Sequence, residues 1–201
     1  MRVTLVRHGQ SEWNAVERLQ GQADIGLSDL GRKQARALKP LIAMLKPCRT
    51  IASDLLRVRQ TVDALELEDT LFDGRLREVN VGDWTGRSIP DLLAEDETRY
   101  LDWRAGIYTP PGSESWTQFS SRTSEVVREV AERPCKNLLL ICHDGVIRAL
   151  INYFVGLDPS RLIAAAPASC TAFILKEKLN TQARLELFNY RPLNLDFDAP
   201  D

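Results

Sequence analysis

The chain lacks an excess of charge of either sign. It has 26 lysines and arginines against 28 aspartates and glutamates, which gives a formal net charge of −2. This balance provides no broad basic surface for nucleic-acid binding. We therefore expect no nucleic-acid partner, and an anionic ligand must be held by a local group of arginines.

Long apolar runs and linker segments are also missing. No stretch approaches the roughly 20 apolar residues that span a bilayer. Met1 leads directly into a strand-like segment instead of a signal peptide. We expect a cytoplasmic protein with no membrane partner. No Ser/Gly-rich or low-complexity segment divides the chain, so residues 1–201 are predicted to form a single domain.

The cysteines are few and are scattered singly. Cys48, Cys135, Cys142 and Cys170 do not show the C-x-x-C spacing of structural zinc sites or thiol redox motifs. We expect reduced, mostly buried thiols. Cys142 directly precedes His143, but neighbouring side chains of a strand point to opposite faces. That geometry disfavours a cysteine nucleophile paired with this histidine.

Histidine is scarce, and its two positions share one context. His8 ends the sequence V-T-L-V-R-H before Gly9, and His143 follows L-L-L-I-C before D-G. Short apolar runs of this kind are typical of buried strands, so both histidines should lie at strand carboxyl ends, where open α/β sheets form their ligand crevice. Imidazole can act as nucleophile, acid or metal ligand near neutral pH. The pair therefore predicts an active site.

The pattern of apolar residues predicts alternating strands and helices. Strands are expected at Arg2 to Val6, Thr50 to Ser53, Leu71 to Phe72, Leu138 to Cys142, Thr171 to Glu177 and Arg184 to Asn189. Helices are expected from Ser28 to Leu45 with a bend at Pro40, Leu56 to Leu65, Ser88 to Trp103, Ser115 to just before Pro134, and Val146 to Val155. This alternation predicts an α/β three-layer sandwich: a mostly parallel central sheet, helices on both faces and one antiparallel edge. A polar loop around Asn180 should join the edge strands, and residues 191–201 should form an irregular tail.

Five separated motifs then occur in order. They are R-H-G-Q-S-E-W-N from Arg7, S-D-L-L-R-V-R-Q-T from Ser53, L-R-E-V-N-V-G-D-W-T-G from Leu76, P-G-S-E-S from Pro111 and H-D-G-V-I-R from His143. Together they resemble the histidine phosphatase superfamily, the phosphoglycerate-mutase-like enzymes, over nearly the whole chain. The resemblance implies a phosphoric monoester hydrolase that uses no metal or other cofactor and acts on a small phosphorylated metabolite.

The resemblance also implies roles for individual residues. His8 would be the nucleophile, Glu78 the proton donor, Arg7, Arg57 and His143 the phosphate pocket, and Asn14 a further phosphate contact. A neutral imidazole attacks an anionic ester without charge repulsion and leaves a phosphohistidine that water can hydrolyse. Arginine supplies permanent charge for the transferring oxygens. The S-D-L-x-R spacing selects Arg57, whereas Arg59 should be solvated.

Asp144 departs from the small residue expected after the second histidine. Its carboxylate would repel a phosphate, so we expect the side chain to turn away and cap the following helix. Its backbone amide should stay near the bound group, which places Asp144 among the substrate-binding residues. Residues 88–112 should form a small cap segment over the site. Five aromatic residues could line a substrate pocket, but a role in the core is preferred for them. They are Trp13, Trp84, Tyr100, Trp103 and Trp116.

Other functions stay open at this point. A cofactor-dependent phosphoglycerate-type mutase is the main alternative, although mutases typically carry G-W-x-D and N-E-R-x-Y-G sequences and a longer chain in the region of Ser88 to Pro111. A non-catalytic phosphate-binding module is another alternative. A metal site formed by His8, His143 and Glu78 is disfavoured because nearby arginines would repel the cation. The substrate (α-ribazole phosphate, a sugar or glycerate phosphate, phosphoserine, or a broad range) and the choice between monomer and homodimer are not determined.

Overall fold

Six strands form one mixed sheet in the computed structural model, which describes residues 1–161, 163–176 and 183–191. The strands are β1 (Arg2–Arg7), β2 (Arg49–Ala52), β3 (Thr70–Phe72), β4 (Asn137–Cys142), β5 (Cys170–Ile174) and β6 (Arg184–Tyr190). Their order across the sheet is β3-β2-β4-β1-β5-β6. The first four are mutually parallel, and β5 and β6 form an antiparallel edge. The predicted sheet is confirmed.

Helices cover both faces of this sheet. They are α1 (Asp29–Ala37), α2 (Lys39–Leu45), α3 (Leu56–Leu65), α4 (Ile89–Arg104), α5 (Trp116–Ala131) and α6 (Asp144–Leu150), which continues as a π-helical turn, Ile151–Val155. Three of them begin at the predicted caps, because the hydroxyls of Ser28, Ser88 and Ser115 each accept a hydrogen bond from the amide three residues further on. At Ser115 the side chain of Gln118 completes a capping box.

The core lies on the two faces of β4. Leu138 and Leu140 pack with α5 and α6 on one face, whereas Leu139 and Ile141 pack with α2 and α3 on the other. All four side chains are at most 1% exposed. A continuous apolar run is what a central parallel strand requires, because helices cover it from both sides.

Three boundaries differ from the sequence expectation. The helix predicted from Ser28 to Leu45 is two helices that meet at Leu38, and Pro40 lies in the first turn of α2, where its missing amide hydrogen removes no helical bond. The final helix begins at Asp144, two residues early. Strand β5 ends at Ile174, before the predicted end. The loop around Asn180 and tail residues 192–201 lie outside the described residues.

The expectation of reduced thiols is wrong for one pair. Cys48 and Cys135 form a disulfide with their Cα atoms 5.8 Å apart. Cys48 lies one residue before β2 and Cys135 two residues before β4. These strands are parallel neighbours, so sheet pairing joins positions that are 87 residues apart in sequence. Cys142 and Cys170 are free and buried, as expected. In the described ranges no helix is both long enough and apolar enough to cross a bilayer.

Reduction of the Cys48–Cys135 disulfide is expected to lower the free energy of unfolding by about 2–4 kcal/mol, because the bond restricts the unfolded chain. Denaturant unfolding with and without reductant measures this difference. A variant carrying both Cys48→Ser and Cys135→Ser should match the reduced protein and show no response to reductant. Identical unfolding midpoints for the oxidised and reduced wild type would contradict the prediction.

Candidate active site

The two histidines meet at the carboxyl edge of the sheet. His8 follows β1 and His143 follows β4, and these strands are parallel neighbours. The backbone amide of His8 donates to the carbonyl of Cys142 at 3.0 Å. The ring centroids of the two histidines are 5.1 Å apart, edge to face. The placement expected from their strand-end contexts is confirmed.

The protonation state of His8 follows from its hydrogen bonds. Its Nδ1 atom lies 2.6 Å from the carbonyl oxygen of Gly9. A carbonyl only accepts, so Nδ1 carries the proton and Nε2 carries the lone pair. Arg57 Nε donates to this Nε2 at 3.2 Å. Burial, with the charges of Arg57 and Arg7, holds the pKa of His8 well below its usual value. His8 is therefore neutral at neutral pH.

The turn after β1 packs directly against α1. A Cβ atom at Gly9 would lie 2.2 Å from the carbonyl oxygen of Gly31, and one at Gly31 would lie 1.9 Å from that of Gln10. Both distances are below any real contact, so glycine is required at both positions. This backbone-to-backbone packing fixes the position of His8 relative to the helical layer.

Backbone carbonyls of the loop after β1 hold the two terminal nitrogens of the Arg57 guanidinium. Its Nη1 and Nη2 atoms donate to the carbonyls of Ala23 and Gly21, each at 2.8 Å. Burial lowers the pKa of Arg57 to about 10, which leaves it charged at neutral pH. Arg59 behaves as predicted: it is exposed and lies 4.2 Å over the ring of Phe72.

Arg7 and Asp144 are joined through one backbone segment. Arg7 Nη1 donates to the carbonyl of Ala165, and the amide of Ala165 donates to Asp144 Oδ1 at 2.7 Å. Asp144 Oδ2 lies 3.6 Å from Arg104 Nη1. Asp144 is the first residue of α6, and His143 occupies the cap position without a side-chain bond. The prediction that Asp144 caps this helix is therefore wrong.

His143 is completely buried behind His8. Its Nε2 atom lies 2.9 Å from Ser53 Oγ, and this hydroxyl also accepts a 3.4 Å hydrogen bond from the amide of Leu55. Within the described part of the chain, Nδ1 has no hydrogen-bond partner. Burial, with Arg57 and His8, holds the pKa of His143 well below its usual value. The sequence analysis missed Ser53, although it begins a quoted motif.

Glu78 lies against the start of α6. The amide of Val79 donates to its Oε1 at 2.8 Å, and the amide of Gly145 donates to its Oε2 at 3.1 Å. Burial raises the pKa of Glu78 and the charge of Asp144 raises it further, against the effect of these hydrogen bonds. A Cβ atom at residue 145 would lie 2.2 Å from Glu78 Oε1. Glycine is therefore required here so that the carboxyl group can approach the helix.

Arg122, which the sequence analysis missed, holds the segment that carries Glu78. Its guanidinium donates to the carbonyls of Arg75, Arg77 and Glu78 at 2.7, 2.8 and 3.0 Å. Glu114, within the P-G-S-E-S motif, forms an ion pair with Arg122 and accepts from the amide of Asn80 at 2.7 Å. Arg122 therefore fixes the backbone on which Glu78 stands, without contacting the carboxyl group.

A cavity with about 820 Å³ of free space, including its opening to solvent, joins these groups. Six of the seven predicted site residues line it: Arg7, His8, Asn14, Arg57, Glu78 and Asp144. The seventh, His143, lies behind His8. Tyr100, Trp103 and Trp116 also line the cavity, whereas Trp84 packs in the core against Tyr100 and Trp103. Gln20, another lining residue that the sequence analysis missed, accepts from Ser11 Oγ at 2.7 Å.

Two alternative chemistries receive no support from these positions. Among the described residues, no group of three or more histidine, cysteine, aspartate and glutamate side chains is arranged to hold a metal ion. The Cys142 thiol is fully buried, and burial raises its pKa, so the reactive thiolate is disfavoured.

The mixed sheet, the paired neutral histidines and the buried arginines at its carboxyl edge define an α/β enzyme that acts on phosphate groups. The chain belongs to the histidine phosphatase superfamily, branch 1, whose family model matches residues 3–189. It is accordingly a phosphatase, a phosphoric monoester hydrolase.

Individual relatives carry both phosphatase and mutase names. The chain is 36% identical over 171 residues to a glucosyl-3-phosphoglycerate phosphatase of Mycolicibacterium vanbaalenii, covering 78% of this chain and 75% of that protein. It is 32% identical over 167 residues to the Probable phosphoglycerate mutase GpmB of Escherichia coli, covering 78% and 76%. The native structure of a mycobacterial glucosyl-3-phosphoglycerate phosphatase superposes with a TM-score of 0.85 at 29% identity, covering 95% of this chain and 99% of that one.

Neither histidine is expected to titrate near the usual value of 6.5, because burial and the arginines disfavour the charged rings. Their protonation in the unfolded chain alone should reduce stability as pH falls below about 6.5. Glu78, whose pKa is raised, acts in the opposite sense, so ring ¹⁵N NMR is a cleaner measurement than thermal melting. Spectra should show two neutral rings, with the Nδ1–H form for His8, and a titration midpoint at or above 6.5 for either ring would be evidence against the arrangement.

Proposed function

We propose that the chain hydrolyses small phosphate monoesters in two steps through a phosphohistidine on His8. The observation that carries the proposal is the hydrogen bond from His8 Nδ1 to Gly9, which places the lone pair on Nε2. Arg57 Nε, which donates to this lone pair at 3.2 Å, turns to a phosphoryl oxygen when the ester binds and so releases Nε2 for attack. The low pKa of His8 keeps this atom unprotonated at neutral pH. No metal or other cofactor is invoked, because Arg7 and Arg57 supply positive charge in the cavity that His8 lines.

In the first step, His8 Nε2 attacks phosphorus and the bond from phosphorus to the ester oxygen breaks. Glu78 gives its proton to the departing oxygen, which leaves as an alcohol. Arg7 and Arg57 stabilise the charge on the phosphoryl oxygens. We assign further phosphate contacts to the side-chain amide of Asn14 and to the Nδ1 atom of His143, which has no hydrogen-bond partner among the described residues. The product is the alcohol and a phosphorylated His8.

In the second step, water replaces the alcohol. The Glu78 carboxylate, left by the first transfer, accepts a proton from a water molecule whose oxygen attacks phosphorus. The bond from phosphorus to Nε2 breaks, its electron pair returns to His8, and inorganic phosphate is released. Both steps need Glu78 to exchange its proton near neutral pH, and its raised pKa supports that role. Arg122 positions Glu78 for both.

The chemistry of the cavity favours a sugar or glycerate phosphate. Tyr100, Trp103 and Trp116 supply flat apolar surfaces on which a sugar ring can lie. The relatives named glucosyl-3-phosphoglycerate phosphatase point to the same class of metabolite. Residues 88–112, which include the whole of α4, act as a cap segment because Ile89, Tyr100, Trp103 and Arg104 line the cavity.

A phosphoglycerate-type mutase is the second candidate, since one relative is named a probable phosphoglycerate mutase. Such an enzyme shares the first step and returns the phosphoryl group to a sugar acid instead of water. The cavity opens to solvent, so water can reach a phosphoryl group on His8. We therefore favour water as the acceptor.

Covalent labelling tests the proposed function directly. Brief reaction with ³²P-labelled substrate and rapid quenching should trap an acid-labile, base-stable phosphate on His8, and His8→Ala should abolish both label and turnover. Cys142→Ala, which removes the neighbouring nucleophilic side chain, should label like the wild type. Label on a cysteine or serine would overturn the mechanism. Transfer of label from the enzyme to 3-phosphoglycerate, in place of release as inorganic phosphate, would establish the mutase.

The leaving group distinguishes an acid role for Glu78 from a binding role. Glu78→Gln should slow alkyl esters about 10²-fold or more, because their alkoxide needs a proton, and should slow p-nitrophenyl phosphate less. In the wild type, the protonated acid is lost as pH rises through its raised pKa. The rate on alkyl esters should therefore fall on the alkaline side, and this limb should be weaker for p-nitrophenyl phosphate. Equal losses on both substrates in steady-state assays would indicate a binding role only.

A further inference from the structure

We propose that Arg104 and Arg148 form a second anion subsite in the same cavity, which binds a carboxylate on the alcohol part of the phosphate ester. We call this pair the distal subsite. The proposal rests on the proposed function, because it assigns the charge of the substrate that His8 would attack. Both arginines line the cavity, and neither takes part in the chemistry described above.

Arg148 carries a buried charge that the described chain does not neutralise. The residue is 8% exposed, its Nη2 atom donates to the carbonyl of Arg104, and its guanidinium lies 5.5 Å over the ring of Trp116. In the described ranges no carboxylate lies within 4.0 Å of this guanidinium. Buried charges are ordinarily paired, because desolvation is costly. An anionic ligand would provide the missing partner.

Arg104 adds a second guanidinium, and Asp144 is the one acid within 4.0 Å of it among the described residues. Its side chain is 16% exposed, and Asp144 Oδ2 lies 3.6 Å from its Nη1. The other oxygen of Asp144 already accepts the amide of Ala165. Glu78 also acts on the charge of Arg148, but it carries its proton in the proposed first step. The Asp144 carboxylate alone then faces two guanidinium groups, which leaves a surplus of one positive charge in this part of the cavity. The surplus matches one carboxylate.

The distal subsite lies on the side of the alcohol. Glu78, which protonates the ester oxygen, contacts the amide of Gly145, and the preceding residue, Asp144, contacts Arg104. A short carbon chain that leaves the ester oxygen can therefore extend past Asp144 toward the two arginines. Their planar forks match a carboxylate in a bidentate manner.

Two ligands with the same carbon skeleton isolate the carboxylate. 3-Phosphoglycerate and sn-glycerol 3-phosphate differ only in a carboxylate against a hydroxymethyl group. Their inhibition constants are measured against hydrolysis of p-nitrophenyl phosphate at about 0.15 M salt, where long-range attraction is screened. The wild type should bind 3-phosphoglycerate at least about tenfold more tightly, as expected for hydrogen bonds between charged groups.

Three substitutions then test which residues are responsible. Arg148→Met should bring the two constants within about threefold, because a charge-assisted contact is lost. Asp144→Asn keeps an oxygen for the amide of Ala165 but removes the competing charge, so it should increase the preference for 3-phosphoglycerate. Arg128→Met changes the net charge equally at an exposed position of α5 and should leave the preference unchanged.

Equal constants in the wild type would overturn the proposal, as would an unchanged ratio in Arg148→Met. If thermal melting shows that Arg148→Met is unfolded, the direction of change in Asp144→Asn decides, and a weaker preference there would also overturn it. A failure of the proposed function looks different, because p-nitrophenyl phosphate is then not hydrolysed. In that case calorimetric titration of the same two ligands measures the same ratio of affinities.

Discussion

The site depends on a charged arginine that is buried against a neutral histidine. Arg57 donates to His8 Nε2, and this contact is possible only because its other nitrogens bond to the carbonyls of Gly21 and Ala23. Those carbonyls satisfy the guanidinium without adding a negative charge that would compete for the substrate. The same positive charge disfavours protonation of both histidines. Arg57 therefore holds the loop after β1 and, together with burial, keeps both rings neutral.

Most of the fold and part of the site follow from local patterns in the sequence. The apolar runs before His8 and His143 are long enough to define central strands, and parallel strands end at one edge, so their convergence was predictable. The Cys48–Cys135 bond was not, because it depends on which strands are neighbours in the sheet and not on cysteine spacing. Arg122 was missed for a similar reason, since its partners are backbone carbonyls in another motif.

At Asp144 the motif was identified correctly, but the contact predicted from it was wrong. An aspartate before a helical pattern is typical of a cap, but here the helix begins one residue earlier than that interpretation requires, and His143 takes the cap position. Asp144 instead bonds to the amide of Ala165, whose carbonyl holds Arg7. Its charge also raises the pKa of Glu78. One carboxylate thus influences both the phosphate-side arginine and the acid.

The position of β1 within the sheet has a consequence for synthesis of the protein. β1 pairs with β4 and β5, whose residues Asn137–Cys142 and Cys170–Ile174 lie far along the chain. During translation the strand that carries His8 therefore waits, without either neighbour, until most of the polypeptide has left the ribosome. Such long-range pairing is slow and leaves apolar strand edges exposed in the meantime. The nascent chain therefore contains His8 early in synthesis but completes its active site only near the end. During that interval its exposed strand edges are the segments that most need protection by a chaperone.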